Sequence, residues 1–160
     1  MYRVVAILVA ALAPLGVLAQ EDSASKTVIG PENVFLADGA RAIQTGDYAL
    51  GVDLTLKGLK LNPRAKQRVA ALSNVCAGYI GLKLYHDAKS YCDAAIEINP
   101  NFWRAYNNRA VLLLRTGNTL AAIEVLKQGL EIRPGSPTLI RALEIAEATQ
   151  RKPRVLIEDH

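Results

Sequence analysis

Apolar residues recur every three to four positions through six segments of the chain, and short polar breaks separate the segments. This pattern predicts helices at about 32–45, 48–61, 68–82, 85–98, 102–115 and 119–132. Prolines 63, 100 and 134 end every second helix, because proline lacks an N–H and crowds the preceding turn. A seventh helix, at 137–150, begins with Pro137 directly after Ser136. The pattern therefore predicts three helix pairs followed by one last helix.

The helix pairs repeat one another. When Ala105–Pro134 is moved back by 34 residues, it falls on Ala71–Pro100 with small, large and closing residues at matching offsets. A period of this size is typical of solenoid proteins, in which stacked units share one continuous core. The first junction is three residues longer, which leaves room for the third helix to begin one turn early. Stacked helix pairs form grooves, so the repeat favours a binding surface over a catalytic pocket.

Small residues recur where the helices of a pair would approach each other, and large residues lie beside them. In the third pair these sites hold Tyr106, Ala110, Leu113, Gly117, Ala122, Gly129 and Pro134, and in the first pair Phe35, Gly39, Ala42, Gly46-Asp47-Tyr48, Gly51, Gly58 and Pro63. In these residues the chain resembles the tetratricopeptide repeat family.

The resemblance implies an all-α, right-handed helical-hairpin solenoid with three helix pairs and a C-terminal capping helix. The repeat domain is expected at 32–150, with repeats at about 32–65, 69–102 and 103–136 and the capping helix at 137–150. Gly51 and Gly58 each weaken the first pair by about 1 kcal/mol relative to alanine, so this pair is expected to be the softest. Glu144 occupies a site that is small in the earlier pairs, as suits a helix that nothing covers.

The N-terminus has the build of a secretory signal peptide, residues 1–19. Arg3 precedes an apolar run at 4–13, a break at 14–16 and the cleavage-site residues Val17-Leu18-Ala19 before Gln20. The run is shorter than the roughly 20 residues needed to span a bilayer, so cleavage is favoured over an uncleaved anchor. The mature chain then has no membrane span, and its expected location is the periplasm or cell envelope, or outside the cell. Residues 20–31 are expected to be a flexible lead-in and residues 151–160 a tail.

The net charge of +4 is too small to indicate a nucleic-acid partner. Basic residues cluster at 64–68 and at 151–154. These clusters are interpreted as solvated connections, and an anion-binding patch is the alternative. The sequence leaves the oligomeric state open.

The residues for an enzyme are missing from the sequence. The two histidines, His86 and His160, have no partner at metal-binding spacing, and there is no glycine-rich phosphate loop. No catalytic site, metal or cofactor is expected.

Polar side chains on the first helix of each pair are candidates for peptide binding. Asn74 and Asn108 are 34 residues apart and occupy the same site of the repeat. A carboxamide can pair with an extended peptide backbone, and the family resemblance adds that this asparagine often does so; the alternative is a bond within the solenoid itself. Two arginines nearby could receive a carboxylate. The predicted peptide-binding residues are Asn74, Asn108, Asn107, Arg104, Arg115 and Ser73.

One family mode of binding is not expected. Some members hold a chain-terminal carboxylate with a lysine of the first pair, whose counterpart here is Leu36, and Ala40 offers no polar group. Leu36, Ala40 and Ile43 instead predict an apolar end of the groove. Phe102 and Trp103 are interpreted as packing between repeats, with a ligand-stacking surface as the alternative.

Cys76 and Cys92 lie on facing helices of the second pair, at the limit of disulfide geometry. Two readings stay open: a disulfide bond, which an exported location favours, and two buried thiols that fill small sites.

The predicted function is that of an exported protein–protein interaction module. It would bind a peptide segment or helix of a partner in its concave groove, as an adaptor or assembly factor of the cell envelope. The alternative is a structural subunit that docks onto a larger envelope complex through its convex face or first repeat.

Overall fold

The computed structural model describes residues 33–151, and all the regular structure in this range is α-helical. The signal peptide and lead-in predicted before it, and the tail beyond Arg151, lie outside the described residues. None of the helices in residues 33–151 is both long and apolar enough to cross a bilayer. The seven helices are α1 (Val34–Gln44), α2 (Tyr48–Lys60), α3 (Ala65–Gly81), α4 (Tyr85–Ile98), α5 (Trp103–Arg115), α6 (Thr119–Ile132) and α7 (Pro137–Arg151). The prediction of an all-α helical-hairpin fold is confirmed.

The third helix starts earlier than its apolar pattern predicts. That pattern indicates a start at 68, and α3 begins at Ala65, one turn early, as the longer first junction allows. The side chain of Gln67 reaches back and accepts a hydrogen bond from the backbone N–H of Arg64 at 3.3 Å, which stabilises the extra turn. The three additional residues of the first junction are therefore helical.

The helices form two layers, an inner layer made of the first helix of each pair and an outer layer made of the second helix. Successive first helices are in contact, α1 with α3, α3 with α5 and α5 with α7, whereas among the described residues successive second helices are not. The stack therefore curves with α1, α3 and α5 on its inner side. We call the inner surface of these three helices the groove, and the surface of α2, α4 and α6 the convex face.

Glycines let the two helices of the first pair approach closely. A Cβ atom on Gly39 would collide with Thr55 Oγ1 and lie 2.9 Å from the carbonyl oxygen of Gly51. Thr55 itself donates a hydrogen bond of 2.6 Å from its hydroxyl to that same carbonyl, so the contact is both tight and satisfied. Gly39 is thus required by the geometry of the pair. Gly51 and Gly58, which were expected to soften the pair, are required as well, because a Cβ atom would collide with Ile43 at Gly51 and with Leu36 at Gly58.

The core of the second pair is built from small side chains. Cys76, Ala88 and Cys92 form one buried cluster together with Leu112 from the next pair. Cys76 and Cys92 are joined by a disulfide bond, with Cα atoms 5.2 Å apart, and both are fully buried. The bridge links α3 to α4.

One large residue of the repeat pattern does not pack as predicted. Phe35 is 37% exposed, because no described element covers that side of α1. Its neighbour Leu36 packs against Gly58 of α2 instead, at a distance that would leave no room for a Cβ atom there. Leu36 therefore belongs to the packing of the pair and not to the groove surface.

Candidate functional site: the concave groove

The charges of the chain are sorted between its two layers. The two helices at the centre of the groove, α3 and α5, contain no acidic residue, while α4 and α6 on the convex face contain five of the ten acidic residues between positions 33 and 151. An inner surface whose central helices carry only one sign of charge attracts a partner of the opposite sign. The basic residues of α3 and α5 are Lys66, Arg68, Arg104, Arg109 and Arg115, and the acidic residues of α4 and α6 are Asp87, Asp93, Glu97, Glu124 and Glu131.

Asn108 bonds within the solenoid. Its Nδ2 donates to the backbone carbonyl of Ser73 at 2.9 Å and lies 3.0 Å from the hydroxyl oxygen of the same residue. Ser73 is only 3% exposed. The structure therefore places Ser73 beneath the groove surface, where it orients Asn108 and links α5 to α3. The Asn108 amide makes a hydrogen bond within the solenoid, which was the alternative to peptide binding.

Asn74, at the matching site of the previous repeat, differs from Asn108. It is half-buried and makes no side-chain hydrogen bond with any described residue. The residue that corresponds to Ser73 in the first pair is Leu36, which has no hydroxyl. Asn74 and the half-buried Asn107 are therefore the asparagines that the groove can offer to a partner.

Arg104 and Arg115 are the exposed cations of α5. The guanidinium of Arg104 lies 4.6 Å from the ring centroid of Trp103, and that of Arg133 lies 5.1 Å from the same centroid. Trp103 itself is half-buried and packs against the core of the third pair, in agreement with its interpretation as a packing residue. Arg104 is thus held near the groove by its stacking contact.

The junction between the second and third pairs carries a partly exposed ion pair that the sequence did not suggest. Asp93 of α4 accepts from Lys89 at 2.6 Å in its own helix, and its other oxygen lies 3.3 Å from Arg109 of α5. Arg109 is consequently neutralised across the junction. Of the cations on α5, this leaves Arg104 and Arg115 without an acidic partner within the described part of the chain.

A cavity of about 250 Å³ lies at one end of the groove, next to the turns that join the helices of each pair. Its floor is apolar, formed by Ala77, Ile80 and Gly81 of α3. Its rim is polar and draws on all three pairs: Tyr48, Lys83, Tyr85 and Arg115. We call this cavity the turn pocket.

A tyrosine pair lies between α3 and α4. The ring centroids of Tyr79 and Tyr91 are 5.5 Å apart. Burial raises the pKa of Tyr79 above its ordinary 10.0, and the neighbouring Tyr91 and Asp87 raise it further. The phenol is thus kept neutral and acts as a packing group.

The apolar end of the groove predicted from α1 is not built as expected. Leu36 packs on Gly58, and the side chain of Ile43 lies against Gly51 and Gly78, between helices. Both residues fill space that glycines leave open. Within residues 33–151, no group of three acidic, histidine or cysteine side chains is placed to hold a metal ion.

Comparison with known proteins finds tetratricopeptide repeats similar to part of this chain. Models described as tetratricopeptide repeat match residues 91–124 and 79–102. The small glutamine-rich tetratricopeptide repeat-containing protein 2 of Mycosarcoma maydis is 26% identical over 107 residues, which cover 67% of this chain and 30% of that protein. The chain thus spans less than a third of that relative's length.

Solved structures share the fold. The TPR domain of Sgt2 from Aspergillus fumigatus is 22% identical, with a TM-score of 0.66, covering 82% of this chain and 92% of that one. The first TPR of Spaghetti (RPAP3), bound to the HSP90 peptide SRMEEVD, is 21% identical, with a TM-score of 0.65, covering 74% and 92%. Residues 79–124 are thus similar to tetratricopeptide repeats, and the solved structures show that the chain shares the fold of TPR domains.

Proposed function

We propose that this protein is an interaction module that binds a segment of a partner protein, extended or helical, in its groove. The observation that carries the proposal is the sorting of charge: α3 and α5 hold five basic residues and no acidic one. Arg104 and Arg115 are exposed there, and a fold neighbour, the first TPR of Spaghetti (RPAP3), is bound to a peptide. The bound segment is expected to carry negative charge.

The binding test compares two matched sets of variants. The groove set is Arg104→Ala with Arg115→Ala, and the convex set, Lys57→Ala with Lys127→Ala, removes the same charge from the opposite face. Partners captured from an extract of the source organism are compared at equal salt, and circular dichroism verifies that both variants fold. Asn74→Ala is tested as a further groove variant. Asn108 is left unchanged, because its side chain also stabilises the fold.

Loss of captured partner in the groove variants alone supports the proposal. Equal capture by the groove variants and the unchanged chain would contradict it. Loss in the convex set alone would favour the alternative function, a structural subunit that docks through its outer face.

We further propose that the chain is exported, with residues 1–19 removed, and that it acts as an adaptor or assembly factor of the cell envelope. The disulfide between Cys76 and Cys92 supports an oxidising compartment, because such bonds are rare in reducing cytosol. Mass spectrometry of the chain from the envelope fraction is expected to find Gln20 as its first residue. A chain that keeps Met1 and fractionates with the cytosol would contradict export.

A further inference from the structure

We propose that the turn pocket is an anchor site for one internal aspartate or glutamate side chain of the partner segment. The inference rests on the proposed function, since it names what one part of the groove recognises. It depends on the residues that line the pocket, on the backbone conformation of one of them, and on the size of the cavity.

The chemistry of the lining suits a carboxylate on a short apolar stem. Lys83 and Arg115 are its charged residues, and no acidic residue lines it. The nearest acid in sequence to Tyr48 is Asp47, and its carboxylate is turned away, accepting a hydrogen bond of 3.2 Å from Leu50 N at the start of α2. The phenol hydroxyls of Tyr48 and Tyr85 can donate further hydrogen bonds to an anion.

The floor of the pocket is apolar and fixed in shape. Gly81 ends α3, and a Cβ atom there would lie 2.5 Å from the ring of Tyr48. The absence of a side chain at Gly81 therefore lets the Tyr48 ring, which comes from the first pair, lie directly on the second. Ala77 and Ile80 complete a surface on which the methylene groups of an acidic side chain can pack.

Lys83 adopts a backbone conformation that lysine ordinarily avoids. The corresponding turns of the first and third pairs place Gly46 at φ 88° and Gly117 at φ 79°, and Lys83 has φ 61°. The left-handed conformation costs a residue with a side chain roughly 1–2 kcal/mol, which glycine does not pay. A cationic side chain kept where the other repeats have glycine, and lining a cavity, points to a role in binding.

The size of the pocket fits one side chain. Its volume of about 250 Å³ is below the range of roughly 300–1,000 Å³ in which small-molecule sites fall. It lies at one end of the groove, so a segment bound in the groove can place one side chain in it. Leu36 and Ala40 offer no polar group to a chain-terminal carboxylate, so the occupant is expected to be an internal residue.

The test selects ligands without assuming a sequence. Random 12-residue peptides, fused to phage through their C-termini so that none has a free terminal carboxylate, are selected against the purified chain and against Lys83→Gly, Arg115→Ala and the control Lys127→Ala. The unchanged chain and Lys127→Ala are expected to select peptides with one Asp or Glu at a fixed position. Lys83→Gly and Arg115→Ala are expected to lose that preference.

One selected peptide is then measured by fluorescence polarisation, next to the same peptide with Glu replaced by Gln. Each change alone, Glu to Gln in the peptide or Lys83→Gly in the protein, is expected to weaken binding about tenfold. Both together are expected to weaken it little more than one alone, because they remove the same contact. Since glycine relieves the strained turn, Lys83→Gly is expected to melt at the same temperature as the unchanged chain or higher.

Three outcomes would overturn the inference. Peptides selected without a shared acidic position would leave groove binding in place and remove the anchor. A second such outcome concerns the peptide in which Glu is replaced by Gln. If this replacement weakens binding equally to the unchanged chain, to Lys83→Gly and to Arg115→Ala, the carboxylate binds outside the turn pocket. Selection of no peptide by the unchanged chain would overturn the anchor and the proposed function together.

Discussion

Replacing Gly39 with alanine tests the closest helix contact of the fold. Two terms oppose each other. Alanine in a helix interior is favoured over glycine by up to about 1 kcal/mol. The new Cβ atom, however, would collide with Thr55 Oγ1 and lie 2.9 Å from two backbone atoms, the Gly51 oxygen and the Thr55 nitrogen. Backbone atoms cannot rotate away as a side-chain end can, so α1 must move away from α2.

The expected net effect is destabilising. Overpacking of a well-filled core costs roughly 1–3 kcal/mol, and we expect the upper end here, which leaves a loss of about 2 kcal/mol. For a domain of this size that corresponds to a fall of roughly 8 °C or more in the melting temperature. The assay is thermal unfolding followed by circular dichroism at the helical minimum.

Gly129→Ala is the matched control. Its Cβ atom would lie 3.2 Å from side-chain atoms of Tyr106 and Leu139, which can shift by a few tenths of an ångström. The gain in helix propensity then offsets most of the cost, and the melting temperature is expected to change by less than half as much. If Gly39→Ala melts as high as the unchanged chain, α1 and α2 do not approach as closely as described.

Three further predictions follow from the same contacts. Reduction of the Cys76–Cys92 bridge, which joins residues 16 positions apart, should remove about 3 kcal/mol and lower the melting temperature by roughly 12 °C; an unchanged midpoint with the thiols verified as free would contradict this. Because folding raises the pKa of Tyr79, its contribution to stability is full below the unfolded pKa of about 10 and is lost as pH rises beyond it; ultraviolet titration should show one late tyrosine that Tyr79→Phe removes. Asp93→Asn should cost up to about 1 kcal/mol in urea unfolding, because it breaks a link between repeats, and Asp53→Asn, whose lysine partner lies in the same helix, should cost less than half of that.

The helix pairs and their ends could be predicted because each depends on residues close in sequence. Prolines, turn glycines and apolar period are local signals, and Pro63 lies just beyond α2, while Pro137 opens α7. The early start of α3 could be predicted only as a possibility offered by the longer junction, because it is stabilised by one hydrogen bond that the Arg64 backbone N–H donates to the Gln67 side chain. Such a bond has no counterpart in the other repeats.

The groove residues were harder to predict because equal positions in a repeat do not have equal neighbours. Asn108 and Asn74 occupy the same site of the pattern. Asn108 donates to Ser73 in the preceding repeat, whereas the residue that corresponds to Ser73 in the repeat before Asn74 is Leu36, which has no hydroxyl. The sorting of charges between the layers was available from the sequence. It required only that acidic and basic residues be counted helix by helix, once the pairs were known.

The turn pocket shows how a repeat protein can acquire selectivity without changing its core. Tyr48, Lys83 and Arg115 come from three different pairs, and neither of the two cations occupies a site where the helices pack on small residues. The stack brings them together because each lies near the turn end of its own pair. A lysine that only faced solvent at such a turn would lower stability with no compensating contact, and glycine serves the same turn in the other two pairs. Stability and recognition can therefore be changed independently at this turn, because Lys83→Gly preserves the fold while it removes a cation from the pocket.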